Sequence, residues 1–486
     1  MPISRIKSLA KDSIIYGLSS VIARLITVFL VPIYTRIFSP EDYGTLNIIN
    51  TTFMLIGVLA VFALDSATAR WFYDTSDESE KKATFSSWFW FQFTVSVLFA
   101  LLLIAMTPFF AKYLLKLPLE TSWNLWILPS VTLVANILPT MIVSWHRLHR
   151  KPIATVIFSL SQSLFTILLT LVFVLVLKWR LVGVYGALLV SATIFSFIAL
   201  YQMKSWINPT LFRMKKLKEM LNFSLPLIPS AIAFWLLNAS NSYFLLYFKD
   251  KSEVGLFSIG VALASGVKIF TGAFQQAWGP FAFSIINEPD AKSTYANVFY
   301  VFGMLGGMLI LSVFLFSPEL LKVLTSPRYY SAAWTASILS VNVILIAFTY
   351  IASIGTNIMK DNKPYAVGVT FAAVLTIIYN ILLTPRFGKE GSALATLLGQ
   401  LILPMYVFYK AQKMFYIPYN FKKVISIILT AAFLGTLVRL VPFSNYPIEF
   451  CVKVLTLISF IITLFGLSRQ KLISFLKQRY SKRMKT

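Results

Sequence analysis

Apolar runs of about 20 residues follow one another along this chain, parted by short basic loops. That pattern leaves one environment in which the chain can fold. A helix of that length crosses the hydrocarbon core of a bilayer and satisfies its own backbone hydrogen bonds there. Of the 486 residues, 58% are hydrophobic and 13% are charged, against about 25% charged in a soluble domain. The chain is therefore read as an all-α integral membrane protein of about fourteen transmembrane helices. The expected spans run over 12–37, 42–68, 84–109, 122–146, 152–177, 182–203, 221–248, 253–284, 294–317, 331–359, 365–384, 391–410, 421–441 and 447–468. The spans at 253–284 and 331–359 are long and polar-spotted, which predicts a tilt or a break. The first run is span-length and lacks a small-residue cleavage site at a suitable distance, so it is expected to stay as span 1.

A weak repeat organises these spans. SPEDYGTLNI at Ser39–Ile48 returns as DKSEVGLFSI at Asp250–Ile259, with Gly44 falling on Gly255 and Asp42 on Glu253. Arg150-Lys151-Pro152 is matched by Asn362-Lys363-Pro364, and Gly186–Leu188 by Gly391–Leu394. The offset stays near 205–212 residues. The repeat unit is thus six spans, an even number, so both copies enter the membrane in the same sense and the two lobes are parallel repeats. Such a repeat between apolar segments is the signature of a transporter with its substrate path between two lobes. The organisation expected is a six-helix lobe over 1–204, a basic cytoplasmic linker over 205–220 and a second six-helix lobe over 221–412. Extra helices 13 and 14 follow over 413–468, then a basic cytoplasmic tail over 469–486.

The net charge of +25 would suggest nucleic acid in a soluble protein. Between spans it is read through the positive-inside rule instead. With the N-terminus inside, the inner segments hold about 28 lysines and arginines and the outer loops about 13. Both termini are therefore expected in the cytoplasm. The tail, with Arg469, Lys471, Lys477, Arg479, Lys482, Arg483 and Lys485, reads as a basic strip on anionic headgroups or as a regulatory contact.

Ionisable residues deep in a span are functional candidates, because each costs about 2.5–3.5 kcal/mol at a helix centre. Arg24 lies mid-span in span 1, Lys268 lies inside span 8, and Asp65 lies near the end of span 2 with Arg70 just beyond. Arg24 and Lys268 suit a cavity cation or an inter-helix tether; Asp65 and Arg70 suit a helix-end pair or a gating and coupling role. Amides also recur within spans, at Asn50, Asn136, Gln162, Asn238, Asn241, Gln275, Gln276, Asn342, Asn357, Asn380 and Gln400. Each should face a helix or water. Gln275 and Gln276 are adjacent and cannot both use one packing face, which points them to a lumen. Pro32 in span 1 and Pro226 and Pro229 in span 7 fall in equivalent spans of the two lobes, where a bend serves gating or is a static kink.

Other signals lead away from catalysis. His146 and His149 sit among Arg147, Arg150 and Lys151 without a carboxylate or thiol, so they read as a cationic span end. No Walker A sequence, Gly-x-Ser-x-Gly, HExxH or paired-carboxylate set is present. The single Cys451 makes neither an internal disulfide nor a metal cluster. Neither an enzyme nor a metal protein is expected.

Several segments resemble one family. LAKDSIIYGLSSVIARLITVFLVPIYTRIFSPEDYGTLNI resembles the first two spans of bacterial polysaccharide-synthesis transporters, the O-antigen-type lipid-linked oligosaccharide flippases of the MOP exporter superfamily. FALDSATARWFYD resembles their end of span 2, FSLPLIPSAIAFWLLNASNSYFLLYF their span 7, and AFQQAWGPFAFS the end of their span 8. The resemblance implies a V-shaped cavity between the lobes that alternates between the two sides of the bacterial cytoplasmic membrane. The implied cargo is an undecaprenyl-pyrophosphate-linked glycan, a repeat unit of O-antigen, lipopolysaccharide or capsule, moved to the outer leaflet. Related lipid II flippases carry cavity cations on spans 1 and 8, a role that span position gives to Arg24 and Lys268. Substrate contacts are assigned to Arg24, Lys268, Gln275, Gln276 and Asn241; gating or coupling is assigned to Asp65, Arg70, Pro32, Pro226 and Pro229. Family members often carry an acidic–basic pair in span 7 where this chain has Asn241-Ser242, so coupling through such a pair is not implied. No cofactor is called for, and the driving force is a proton or sodium gradient or the membrane potential. Membrane lipids, a polysaccharide polymerase and glycosyltransferases are the partners implied, and the chain is taken as a monomer. Three other readings stay open: a lipid II flippase, a cation-coupled multidrug exporter of the same superfamily, and a membrane glycosyltransferase or polymerase, the last of which would want a longer outer loop.

Overall fold

The computed structural model describes residues 30–361 and 363–483, with 467–483 as backbone alone. Among the described residues all regular structure is helical. Residues 30–37 form α1, the described end of span 1. It is followed by α2 (Pro40–Val61), α3 (Leu64–Asp74), α4 (Glu78–Ala105), α5 (Leu119–Ala135), α6 (Ile137–Leu148), α7 (Pro152–Leu171) and α8 (Arg180–Met203). Next come α9 (Met214–Ser224), α10 (Ile228–Ala239), α11 (Asn241–Phe248), α12 (Lys251–Ser284), α13 (Ala291–Leu324) and α14 (Ala333–Ile358). The chain closes with α15 (Lys363–Met414), α16 (Phe421–Leu440) and α17 (Tyr446–Arg483).

Twelve helical stretches among the described residues are long and apolar enough to cross a membrane. One of them, α15, has 52 residues and carries two expected spans, because Gly388 breaks it with φ 55° and ψ −132°. Glycine suits that left-handed turn, and an added Cβ would also meet the Glu253 carboxylate. Most of expected span 1 lies outside the described residues, as does Asn362 of the repeat.

The kinks have local causes. Expected span 2 divides into α2 and α3 at Phe62 and Ala63, both at φ 52°. Expected span 7 divides into α9, a 3-10 turn at Leu225–Leu227, α10 and α11. Pro226 sits in that turn and Pro229 opens α10, positions where a missing amide hydrogen removes no helix bond. The long spans behave differently. α12 runs unbroken for 34 residues despite Pro280, and α14 for 26 residues.

Contacts divide the chain into two compact units. The first comprises Met1–Ser258 with Thr376–Ser392. Its core is aromatic: Trp88, Phe85, Phe158 and Phe195 are buried with Met141 and Trp206. At one edge Glu80 takes Lys216 Nζ at 2.5 Å and also pairs with Arg213, tying the segment before α10 to α4. The second unit comprises Ile259–Leu375 with Ala393–Thr486. Within it α17 is anchored to α13 by Lys453, whose side chain is 1% exposed and whose Nζ lies 2.6 Å from Glu319 Oε1 and 2.5 Å from Glu449 Oε1. A buried cation between two carboxylates holds only while all three are present.

Candidate functional site: a repeat-related crossing and a polar cavity

The repeat legible in the sequence is matched by geometry within the first unit. At the start of α2, the Ser39 hydroxyl accepts from the Asp42 amide at 3.1 Å, and the Asp42 carboxylate accepts from the Ser39 amide at 3.1 Å. Asp42 then reaches Arg180 Nη2, at the start of α8, at 2.9 Å. At the start of α12, Asp250 takes the place of Ser39 and accepts from the Glu253 amide at 2.9 Å. Glu253 in turn pairs with Lys389 Nζ at 3.1 Å and accepts from the Lys389 amide at 2.7 Å. Asp42 with Arg180 and Glu253 with Lys389 are therefore one interaction built twice.

Gly44 and Gly255, aligned across the repeat, also touch one another. A Cβ added at Gly44 would fall on the Lys251 carbonyl, and one added at Gly255 would fall on the Pro40 carbonyl. The helix ends come together so closely only because both residues lack a side chain. Glu41 Oε1 closes the crossing by pairing with Lys251 Nζ at 2.9 Å. Below it, α11 is bonded to α2: Tyr243 Oη lies 2.7 Å from Thr52 Oγ1, and Ser242 donates to Asn47 Oδ1 at 2.6 Å.

A cavity of about 300 Å³ opens within the first unit between α2, α4, α5, α6 and α8. Asn50, Gln92, Thr132, Asn136 and Thr140 bring amide and hydroxyl groups to it. Tyr185 donates to Asn50 Oδ1 at 3.2 Å. Gln92 is 5% exposed, and its Oε1 has no partner. A buried carbonyl oxygen without a donor favours a hydroxyl-bearing guest or water.

The residues singled out from sequence are distributed as follows. Arg24 lies outside the described residues. Lys268, Gln275 and Gln276 are exposed on α12, and Lys268 and Gln275, seven apart, share a helix face. Asn241 is buried: its Oδ1 accepts from Asn380 Nδ2 at 2.9 Å, and Ser392 Oγ lies 3.2 Å away. Asn380 Oδ1 in turn accepts from Thr384 at 3.0 Å and Ser392 at 2.8 Å, so the knot is neutral and its bonds are mutual. Asp65 is exposed in the first turn of α3, where the helix dipole favours a carboxylate. Arg70 faces Asp74 at 4.0 Å and the Phe223 ring at 5.4 Å, so it is not brought to Asp65. Pro32 lies in α1. His146 bonds Gln202 on α8 at 3.2 Å, while His149 folds back on the Trp145 carbonyl at 2.8 Å. Burial lowers the His149 pKa, with Lys151 and Lys81 adding to the effect and the Trp145 carbonyl opposing it. Among the described residues no group of His, Cys, Asp and Glu could hold a metal ion.

Gln92, Tyr185, Glu41 with Lys251, and Lys453 are not among the residues expected from sequence. Gln92 and Lys453 carried a signal, a polar group inside an apolar run; Glu41 and Lys251 carried none beyond flanking the repeat.

The family described as polysaccharide biosynthesis protein matches residues 9–286. An uncharacterised membrane protein of Methanocaldococcus jannaschii is 31% identical over 125 residues, which is 24% of this chain and 23% of that one. The chain thus spans about a quarter of that relative's length. Among solved structures, the lipid II flippase MurJ in an inward closed conformation is similar with a TM-score of 0.74 and 16% identity, over 95% of this chain and 100% of that one. An inward-facing multidrug resistance transporter of the MATE family of the MOP superfamily is similar with a TM-score of 0.64 and 16% identity, over 84% and 99%. The fold of this chain is the one these two transporters share.

Proposed function

Because this chain belongs to the polysaccharide biosynthesis protein family, we propose that it is a flippase. Its cargo is an oligosaccharide on an undecaprenyl-pyrophosphate anchor, carried between leaflets of the bacterial cytoplasmic membrane by alternating access. The observation that carries the reading is the family match over residues 9–286. The polar cavity of about 300 Å³ inside a bundle of apolar helices supports it. Hydrocarbon has no use for Asn50, Gln92 and Asn136 together; a sugar has hydroxyls for all of them.

The chemistry divides by part of the cargo. The pyrophosphate is held by cations in a low-dielectric space, the role given to Lys268 on α12 and to Arg24. Gln275, on the Lys268 face, and Gln276 beside it extend that surface toward the glycan. Asn241 contributes by keeping α11 joined to α15, and Pro226 and Pro229 let the span that contains α10 pivot. Asp65, in the first turn after the break at Phe62 and Ala63, and Arg70, further along the same helix, are placed on the segment that would move with that break, a position suited to coupling. The lipid tail stays in the bilayer. Outward movement of an anionic head is favoured by an inside-negative potential by about 2.3 kcal/mol per charge per 100 mV. Both termini are placed in the cytoplasm, the chain works as a monomer, and a polymerase and glycosyltransferases act before and after it on the same lipid-linked glycan.

Lipid II is the second cargo reading, favoured by the likeness of fold to the lipid II flippase over that protein's whole length. A cationic drug suits the site less well, because the deep charge on α12 is a lysine. The test is the lipid-linked glycan that accumulates when the protein is removed. A surface-polysaccharide repeat unit supports the first cargo, and lipid II supports the second. No lipid-linked intermediate at all, with gained drug sensitivity, overturns both.

A further inference from the structure

The second unit holds an apolar groove of about 520 Å³ between α13, α14, the second half of α15 and α16. Its floor is a cluster of aromatic rings. Phe299 meets Phe408 at 5.4 Å and Phe421 at 5.4 Å, and Phe408 meets Phe421 at 5.1 Å. Leu401, Pro404 and Ile428 continue the wall. Met405 and Ile425, on its lips, are 57% and 53% exposed on helices apolar enough to span a membrane, so the groove opens toward lipid.

One end of the groove is different in kind. Lys413 lines the mouth and lies over the Tyr409 ring at 4.4 Å, and Lys410 lies over the Tyr406 ring at 5.7 Å. Lys422 and Lys423 occupy the first turn of α16, where the helix dipole adds further positive potential. Among the described residues none of these four lysines forms an ion pair with a carboxylate. Gln412 braces the loop beside them, its Nε2 donating to the Ile417 carbonyl at 2.7 Å and its Oε1 accepting from the Ile417 amide at 2.8 Å. A preformed apolar slot that ends in an unneutralised basic rim with two tyrosines has the polarity of one lipid molecule, tail inward and anionic head at the rim.

We infer that this groove is a binding site for an anionic phospholipid, with one acyl chain in the slot and its phosphate on Lys410, Lys413 and the start of α16. The volume lies within the range of about 300–1,000 Å³ usual for sites that hold a small molecule. The rim lies between α15 and α16, at the end that the lysine and arginine count assigns to the cytoplasm, so the lipid belongs to the inner leaflet. The groove shares no lining residue with the polar cavity or with the cargo residues named above, and its test requires no transport.

The test is native mass spectrometry of the purified full-length protein, exchanged against phosphatidylglycerol or phosphatidylcholine with matched chains. Wild type is expected to retain phosphatidylglycerol about tenfold better. The combined Lys410→Gln and Lys413→Gln change should bring the two lipids within about twofold. Ile425→Trp fills the slot from an exposed position and should remove the bound lipid while leaving the melting temperature unchanged. Lys116→Gln, a charge change in another loop, should leave retention as in wild type. Unchanged headgroup preference in the lysine variant, or unchanged retention in the tryptophan variant, overturns the inference. So does retention of a polyprenyl phosphate with no retention of phosphatidylglycerol.

Discussion

The crossing of α2 and α12 makes a prediction that the structure allows to be sized. Gly44→Ala adds one methyl group where the Lys251 carbonyl stands. The obstacle is backbone, so no rotamer change relieves it, and the two helix starts must move apart. Overpacking of this kind costs about 1–3 kcal/mol. Against a two-state opening of that end, such a cost shifts the equilibrium by about 5- to 150-fold toward the parted state. Val254 is fully buried beside the crossing and is a suitable reporter once changed to cysteine. The exposed Cys451 would first be replaced by serine. The labelling rate of Val254→Cys by a membrane-impermeant maleimide should rise by that factor in the Gly44→Ala background. Gly57→Ala is the control, because nothing lies within 4 Å of its added Cβ; it should leave the rate unchanged. Equal labelling in Gly44→Ala and Gly57→Ala proteins, with equal melting temperatures, would refute the claim that the crossing is held by contact between the two glycines.

Further outcomes follow from the pairs and the cavity. Lys389 is 11% exposed and Arg180 is 68% exposed, so Lys389→Ala should lower stability by about 3 kcal/mol and Arg180→Ala by less than about 1. Thermal melting in detergent compares them, and equal losses would contradict the ranking. Lys453→Ala strands Glu319 and Glu449 and should lose about 3–5 kcal/mol in the same assay, whereas an unchanged melting temperature would sink the anchoring role. Gln92→Leu removes an unpartnered buried carbonyl and should leave the fold as stable as before while lowering glycan export about tenfold. Normal export in that variant would exclude the cavity from the cargo path.

The sequence carried the all-helical membrane class and most span limits, because hydropathy at span length depends on the bilayer and not on tertiary detail. It also paired Gly44 with Gly255 and Asp42 with Glu253, since the repeat constrains the same local geometry twice. It did not reveal that the two glycines meet, because alignment equates positions without placing them in contact. The breaks at Phe62 and Ala63 were not legible, as neither residue type favours a left-handed backbone. The break at Gly388 was marked only by a glycine between spans. Gln92 is visible as a polar group inside the apolar run FWFQFTV, but its significance depends on which side chains fail to reach it.

A flippase of the kind proposed carries an anionic lipid-linked glycan across the bilayer. The direct measurement is flipping of a fluorescent undecaprenyl-pyrophosphate oligosaccharide in proteoliposomes, beside the same glycan on an uncharged polyprenyl ether. The pyrophosphate compound should be transported, faster under a potential that drives anions in the transport direction, and transport should be lost in Arg24→Ala and Lys268→Ala with partial recovery in Arg24→Lys. Equal movement of the two compounds, or no movement of either while a cationic dye is exported, would contradict that function.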